Sequence, residues 1–88
     1  MAWRVEFLPS ADKLFGKLDR QHQRRIRHFI ETRAQTDDDP HRLGEGYTGP
    51  LKGLWKYRIG DHRLVCDVQE ETQTVLVIAI GDRKYVYR

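Results

Sequence analysis

Gly60-Asp61, set between Trp55-Lys56-Tyr57-Arg58-Ile59 and His62-Arg63-Leu64-Val65-Cys66, constrains this chain more than any other feature. A two-residue loop between alternating segments predicts a tight hairpin, and the loop length dictates its register. Ile59 then pairs with His62 and Arg58 with Arg63. Trp55, Tyr57 and Ile59 turn to one side of the strand, Lys56 and Arg58 to the other. Like charges facing each other across a ladder normally destabilise it. Their presence points to an anion, and phosphate is the common anion that engages several cations at once.

The rest of the pattern sets this hairpin in an α+β chain. Trp3 to Leu8 alternates as a short strand, and Pro9-Ser10 breaks it where Ser10 caps the following helix. Ala11, Leu14, Phe15 and Leu18 recur at i, i+3, i+4 and i+7 as one apolar stripe. A second helix runs from after Asp19 to about Gln35, with Ile26, Phe29 and Ile30 inward and Arg20, Arg24, Arg25, Arg27 and Arg33 outward. Thr36-Asp37-Asp38-Asp39-Pro40 ends this helical hairpin, and a glycine-rich run to Pro50 forms an exposed connection. Strands are expected at about 51–59, 62–69 and 74–80, with Glu70 to Gln73 as the second tight turn. Val75 to Ile80 is apolar on both parities, which suits an interior strand, with Val5 and Phe7 paired beside it. The expected fold is an N-terminal strand, a two-helix hairpin and a three-stranded antiparallel meander. Both helices pack on one face of the sheet and leave a basic, partly concave surface on the other.

Composition narrows the function classes. Eighty-eight residues suffice for one core, and no repeat or low-complexity segment divides them, so a single domain over 1–88 is expected. Sixteen Lys and Arg against 13 Asp and Glu lean modestly toward nucleic acid. No run reaches the length of a signal or membrane segment, which predicts a cytoplasmic protein with no membrane partner. Cys66, the single cysteine, reads as a small buried hydrophobe in the Leu64-Cys66-Val68 alternation. His22, His28, His41 and His62 lack metal-ligand spacing, and Gly44, Gly46, Gly49 and Gly53 match neither the P-loop nor the dinucleotide fingerprint. Neither a metal nor a cofactor is therefore expected. Asp37-Asp38-Asp39 reads as solvated surface ahead of a proline.

What remains for chemistry is the cation set Lys56, Arg58 and Arg63, joined by Arg83, which leaves the last strand beside that face. The plain alternative is a set of solvated strand residues. Tyr87, three residues after Lys84, either adds an aromatic ring to the site or covers the sheet edge.

Three segments resemble the RelE family of toxin–antitoxin toxins: Leu51-Lys52-Gly53-Leu54-Trp55-Lys56-Tyr57-Arg58, Gly60-Asp61-His62-Arg63-Leu64-Val65-Cys66 and Ile80-Gly81-Asp82-Arg83-Lys84-Tyr85-Val86-Tyr87. The similarity runs through nearly the whole chain. It implies a ribosome-dependent endoribonuclease that cuts mRNA in the A site. It also implies a RelB-like antitoxin that wraps and silences the toxin, with operator DNA reached only indirectly, through that antitoxin. By position it implies Lys56, Arg58, Arg63, Arg83 and Tyr87 as catalytic; beside them Tyr85, Lys52, Arg24, Arg25 and Arg27 are expected RNA contacts. The helix arginines Arg20, Arg24, Arg25 and Arg27 either grip ribosomal RNA phosphates or form a solvated face.

The implied reaction needs no metal. An RNA 2′-hydroxyl attacks the adjoining phosphate, leaving a 2′,3′-cyclic phosphate and a free 5′-hydroxyl. Arg63 and Arg83 suit stabilisation of the dianionic transition state. Lys56 is the candidate base among neighbouring cations that disfavour its charged form, or else serves as a charge alone. Tyr87 stacks on or orients the base beside the cut. Arg58 departs from the pattern, standing where well-known members carry a second lysine. Asp82 stands where relatives often have histidine or lysine, Tyr85 competes with Tyr87, and no histidine or glutamate obviously replaces the missing base. Two other readings stand beside the nuclease: a ParE-like toxin of similar fold that binds DNA gyrase, and a nucleic-acid or partner-binding module without catalysis. The cation set argues against the first, and the missing conventional acid–base pair keeps the second open.

Overall fold

The computed structural model of the chain describes residues 3–34 and 39–82. Strand β3 (Trp55–Ile59) turns at Gly60-Asp61 into β4 (His62–Gln69), with Ile59 opposite His62 and Arg58 opposite Arg63, the register that the loop length dictates. Gly60 takes φ 62°, the left-handed conformation a two-residue turn needs at its first central position. β4 continues antiparallel into β5 (Thr74–Asp82), whose register shifts between Val65 and Cys66. The other neighbour of β5 is β1 (Arg4–Phe7), paired in parallel, with Val5 beside Val75 and Phe7 beside Val77. No tight turn can join a parallel pair. The chain accordingly leaves β1 through α1 (Pro9–Gly16) and α2 (Arg20–Phe29) and reaches β5 at the end of the meander. A two-residue strand, β2 (Glu45–Gly46), closes the far edge and gives the order β1-β5-β4-β3-β2. The strand that is apolar on both parities is interior, as expected.

Local chemistry moves several boundaries. Helix α1 starts at Pro9, ahead of Ser10, because a proline ring presets the first helical φ while Leu8 before it stays extended. No side chain caps it, so Ser10 is not the cap. Leu14 of the apolar stripe stays 40% exposed. Helix α2 widens into a π-type turn over Ile30–Ala34, where the Thr32 hydroxyl donates to the His28 carbonyl at 2.6 Å. β3 starts at Trp55 and not at 51, since Gly49–Leu51 forms a tight turn and the Leu54 amide donates to the Leu51 carbonyl. The glycine-rich connection is more structured than its composition suggests, holding two such turns and β2.

One sheet face carries the core. Val5, Phe7, Val75, Val77, Ile80, Leu64, Cys66, Tyr57 and Ile59 meet Ala11 and Phe15 of α1 and Ile26 and Phe29 of α2. Phe7 packs edge-on against Phe15 at 5.6 Å, and Phe29 lies 5.7 Å from Tyr57. Cys66 is fully buried, and burial pushes its thiol up, out of the range of a reactive cysteine. Asp19 caps α2, its carboxylate accepting from the His22 amide at 2.9 Å. That hydrogen bond holds the Asp19 carboxyl below the usual carboxylate range. A depressed folded value means that the stability it contributes is present above the unfolded value and lost as pH falls through the folded one. The melting-temperature gap between the wild type and Asp19→Ala is therefore expected to be widest at neutral pH and to close below about pH 4.

Tyr57, 1% exposed, satisfies its buried hydroxyl by donating to the Pro40 carbonyl at 2.8 Å. Tyr57→Phe leaves that carbonyl without its donor and is expected to cost about 1–3 kcal/mol, read as a lower denaturant midpoint at unchanged slope.

Candidate functional site

The sheet face away from the helices carries the cations. Glu45, Lys56, Val65 and Ala79 form one row across β2, β3, β4 and β5, and Arg58, Arg63 and Gly81 form the next. At the β2 edge these rows open into a cleft of about 280 Å³ lined by Arg42, Leu43, Gly44, Glu45, Lys56, Arg58 and Arg63. Three of the residues expected at the site, Lys56, Arg58 and Arg63, thus share one concave surface. Arg83, Tyr85 and Tyr87 lie outside the described residues. Beside the cations the face is apolar: Leu51, Leu54, Val65, Ile78 and Ala79 line a second groove. The open face thus carries a basic cleft with an apolar groove beside it.

Lys56 is hemmed in. Its side chain is 22% exposed, and its Nζ lies 3.8 Å from the Glu45 carboxylate and 5.5 Å from the centre of the Tyr47 ring. A carboxylate at that distance corrects the picture of a lysine among cations alone. The ladder places it there, since Glu45 pairs directly with Lys56.

Arg42 and Glu45 reach the cleft on a short strap that β3 holds down. The Asp39 carboxylate accepts from the His41 amide at 3.0 Å and starts a tight turn over Pro40–Leu43. Trp55 donates its indole N–H to the His41 carbonyl at 3.2 Å and meets the His41 ring edge-on at 4.7 Å. Tyr57 anchors Pro40 as described. Gly44 then lies so close to β3 that a Cβ there would sit 2.1 Å from the Lys56 carbonyl oxygen. The side chains of β3 that alternate with Lys56 and Arg58 thus fix the opposite wall of the cleft.

The remaining expected contacts divide. Lys52 is exposed in the segment before β3 and does not line the cleft. Arg24 and Arg27, with Arg20 and Gln23, line a separate shallow depression on α2, on the helical side of the sheet. Gln23 is committed to structure, donating to the Phe15 and Leu18 carbonyls and tying α1 to α2. Arg25 turns away from that group and lies across Gly60 at the hairpin tip. His22 and His62 meet with ring centres 4.4 Å apart, a contact that their separation in the sequence conceals. Among the described residues no group of three or more His, Cys, Asp or Glu is placed to hold a metal ion, and no helix is long and apolar enough to cross a membrane.

Residues 5–87 match the model of a family described as ParE toxin of type II toxin–antitoxin system, parDE. No match is found among curated protein sequences. Among solved structures, a chain of the toxin–antitoxin complex RelBE2 from Mycobacterium tuberculosis is similar at 23% identity and TM-score 0.84, over 94% of this chain and 100% of that one. A chain of the archaeal RelE–RelB complex from Pyrococcus horikoshii is similar at 22% identity and TM-score 0.72, over 98% and 100%. A mutant of toxin RelE from E. coli in the free state is similar at 20% identity and TM-score 0.73, over 98% and 88%. At these identities the likeness establishes a shared fold.

Proposed function

The chain belongs to the ParE toxin family of type II toxin–antitoxin systems, in the RelE/ParE superfamily, and from that premise we propose that it is a ribosome-dependent mRNA endoribonuclease silenced by a RelB-like antitoxin. The observation that carries this reading is the convergence of Lys56, Arg58 and Arg63 on one cleft, with the two arginines directly opposed. Such repulsion relaxes when a phosphate lies between the guanidinium groups.

In this reading the RNA 2′-oxygen attacks phosphorus while the bond from phosphorus to the 5′-oxygen breaks. Arg58 and Arg63 hold the equatorial oxygens and meet the extra negative charge of the transition state. Glu45 is the one carboxylate lining the cleft among the described residues, and it stands beside Lys56. The carboxylate accepts the 2′-hydroxyl proton and the ammonium supplies one to the departing 5′-oxygen, a division of labour that arginine at position 58 cannot provide. Arg83 and Tyr87 belong to the same catalytic set, and Tyr85 contacts the RNA. The protein acts in the cytoplasm on ribosome-bound mRNA. The RelB–RelE complexes of the similar proteins support an antitoxin partner, and operator DNA is reached through that partner.

The family match itself favours a second reading, a ParE-like toxin that binds DNA gyrase without cutting RNA. Expression of Lys56→Ala, Arg63→Ala and Arg83→Ala together separates the two. The nuclease reading expects growth inhibition to vanish while antitoxin binding is kept and the wild type leaves gyrase supercoiling unaffected. Full toxicity of the folded triple variant, or inhibition of gyrase by the wild type, contradicts it.

A further inference from the structure

We propose that Arg42 is a substrate-contacting residue of the cleft, holding the RNA phosphate next to the one that is cleaved. The assignment rests on the nuclease reading. Lys56, Arg58 and Arg63 rise from β3 and β4 and point from one patch of sheet, because Arg58 and Arg63 are directly opposed and Lys56 is the next residue on the same face. Arg42 comes from the strap beyond the sheet and lines the same cleft from its other wall. A phosphate seated between Arg58 and Arg63 therefore leaves Arg42 facing the neighbouring stretch of chain.

Charge supports more than one phosphate. The lining residues present four cations against a single carboxylate, Glu45. One phosphodiester carries one negative charge, so an RNA strand with consecutive phosphates matches the cleft better than an isolated anion.

The strap also holds Arg42 in place before substrate arrives. On its N-terminal side Pro40 is buried and its carbonyl accepts from Tyr57, and the His41 carbonyl accepts from Trp55. The Arg42 amide itself donates to the Asp39 carbonyl at 3.1 Å. On its C-terminal side Gly44 lies against the backbone of Lys56. Both flanks are thus anchored to the strand that carries Lys56 and Arg58. A backbone anchored on both sides of Arg42 need not be ordered on binding, so the contact adds affinity and register.

The test uses the full-length toxin, wild type and Arg42→Gln, in single-turnover cleavage of mRNA on ribosomes with an empty A site. Arg42→Gln is expected to raise the half-saturating toxin concentration about tenfold with the maximal rate within about threefold of wild type. It is also expected to flatten the dependence of log affinity on log salt by about 0.7, one phosphate contact fewer. Arg42→Lys, which keeps the charge, is expected to restore the salt slope and part of the affinity. A neutral methylphosphonate placed one nucleotide to either side of the cut then locates the contact. At one of these positions it weakens the wild type to the level of Arg42→Gln and leaves Arg42→Gln unaffected. A variant equal to wild type in half-saturation and salt slope overturns the assignment, as does equal sensitivity of both proteins to each methylphosphonate. Absence of cleavage by the wild type overturns the nuclease reading and this assignment with it.

Discussion

Replacing Arg63 with glutamine is expected to lower the saturated rate of A-site cleavage by about 100-fold or more, while the protein melts no lower than wild type. The two halves of this result have one origin. Arg63 stands directly opposite Arg58 across the β3–β4 ladder, where like charges destabilise the pair, and a shorter, neutral side chain removes that repulsion. The same guanidinium offers two donors to phosphate oxygens, and its share of the dianionic charge grows as the transition state forms. The loss therefore belongs in the maximal rate and not in half-saturation. A purely structural arginine reverses the pattern, with lower melting and an unchanged rate per folded molecule. Stopped single-turnover reactions beside thermal melts of both proteins decide between them.

Gly44→Ala is expected to be the most damaging small substitution near the cleft. A Cβ there would lie 2.1 Å from the Lys56 carbonyl oxygen and 2.8 Å from Cδ1 of the Tyr57 ring, the first a backbone atom in a strand and the second part of a buried side chain. Neither can yield without moving β3, so the strap must lift instead. Overpacking of this kind costs about 1–3 kcal/mol, and a lifted strap withdraws Arg42 and Glu45 from the cleft together. Chemical denaturation is expected to show the lower midpoint, and cleavage is expected to fall in both affinity and rate. Gly16→Ala serves as the control, since beyond its own chain neighbours and helix backbone no atom lies within 4 Å of its added Cβ. Wild-type stability and activity in Gly44→Ala contradict the close approach on which the cleft geometry depends.

The hairpin was legible because its information is local. A two-residue loop leaves one register, so Arg58 opposite Arg63 follows from Gly60-Asp61 and the period of two. The interior place of β5 was legible too, since Val75 to Ile80 has no polar parity to show to water. The wall formed by Arg42 and Glu45 was hidden, because its position depends on hydrogen bonds spanning 14 and 17 residues from Trp55 and Tyr57. Those two residues read as apolar strand side chains, and nothing in their spacing indicates which carbonyls their polar ends will find. Glu45 is the clearest case. Among scattered glycines it looks like loop surface, and only a two-residue strand brings it beside Lys56. The helix arginines illustrate the same limit. Arg24 and Arg25 are adjacent in sequence, yet 100° of helical rotation sends one to the α2 depression and the other to the hairpin tip. The parallel pairing of β1 was equally hidden, because a parallel neighbour leaves no turn signal at the junction.

The central claim is tested most directly by mapping RNA ends after the purified protein meets free mRNA, with EDTA controls on that free RNA, and, separately, ribosomes stalled with an empty A site. The account predicts cleavage confined to the A-site codon, leaving 5′-hydroxyl ends. Intact RNA on the ribosomes, from protein shown to be folded, contradicts it and moves the gyrase-binding reading to the front.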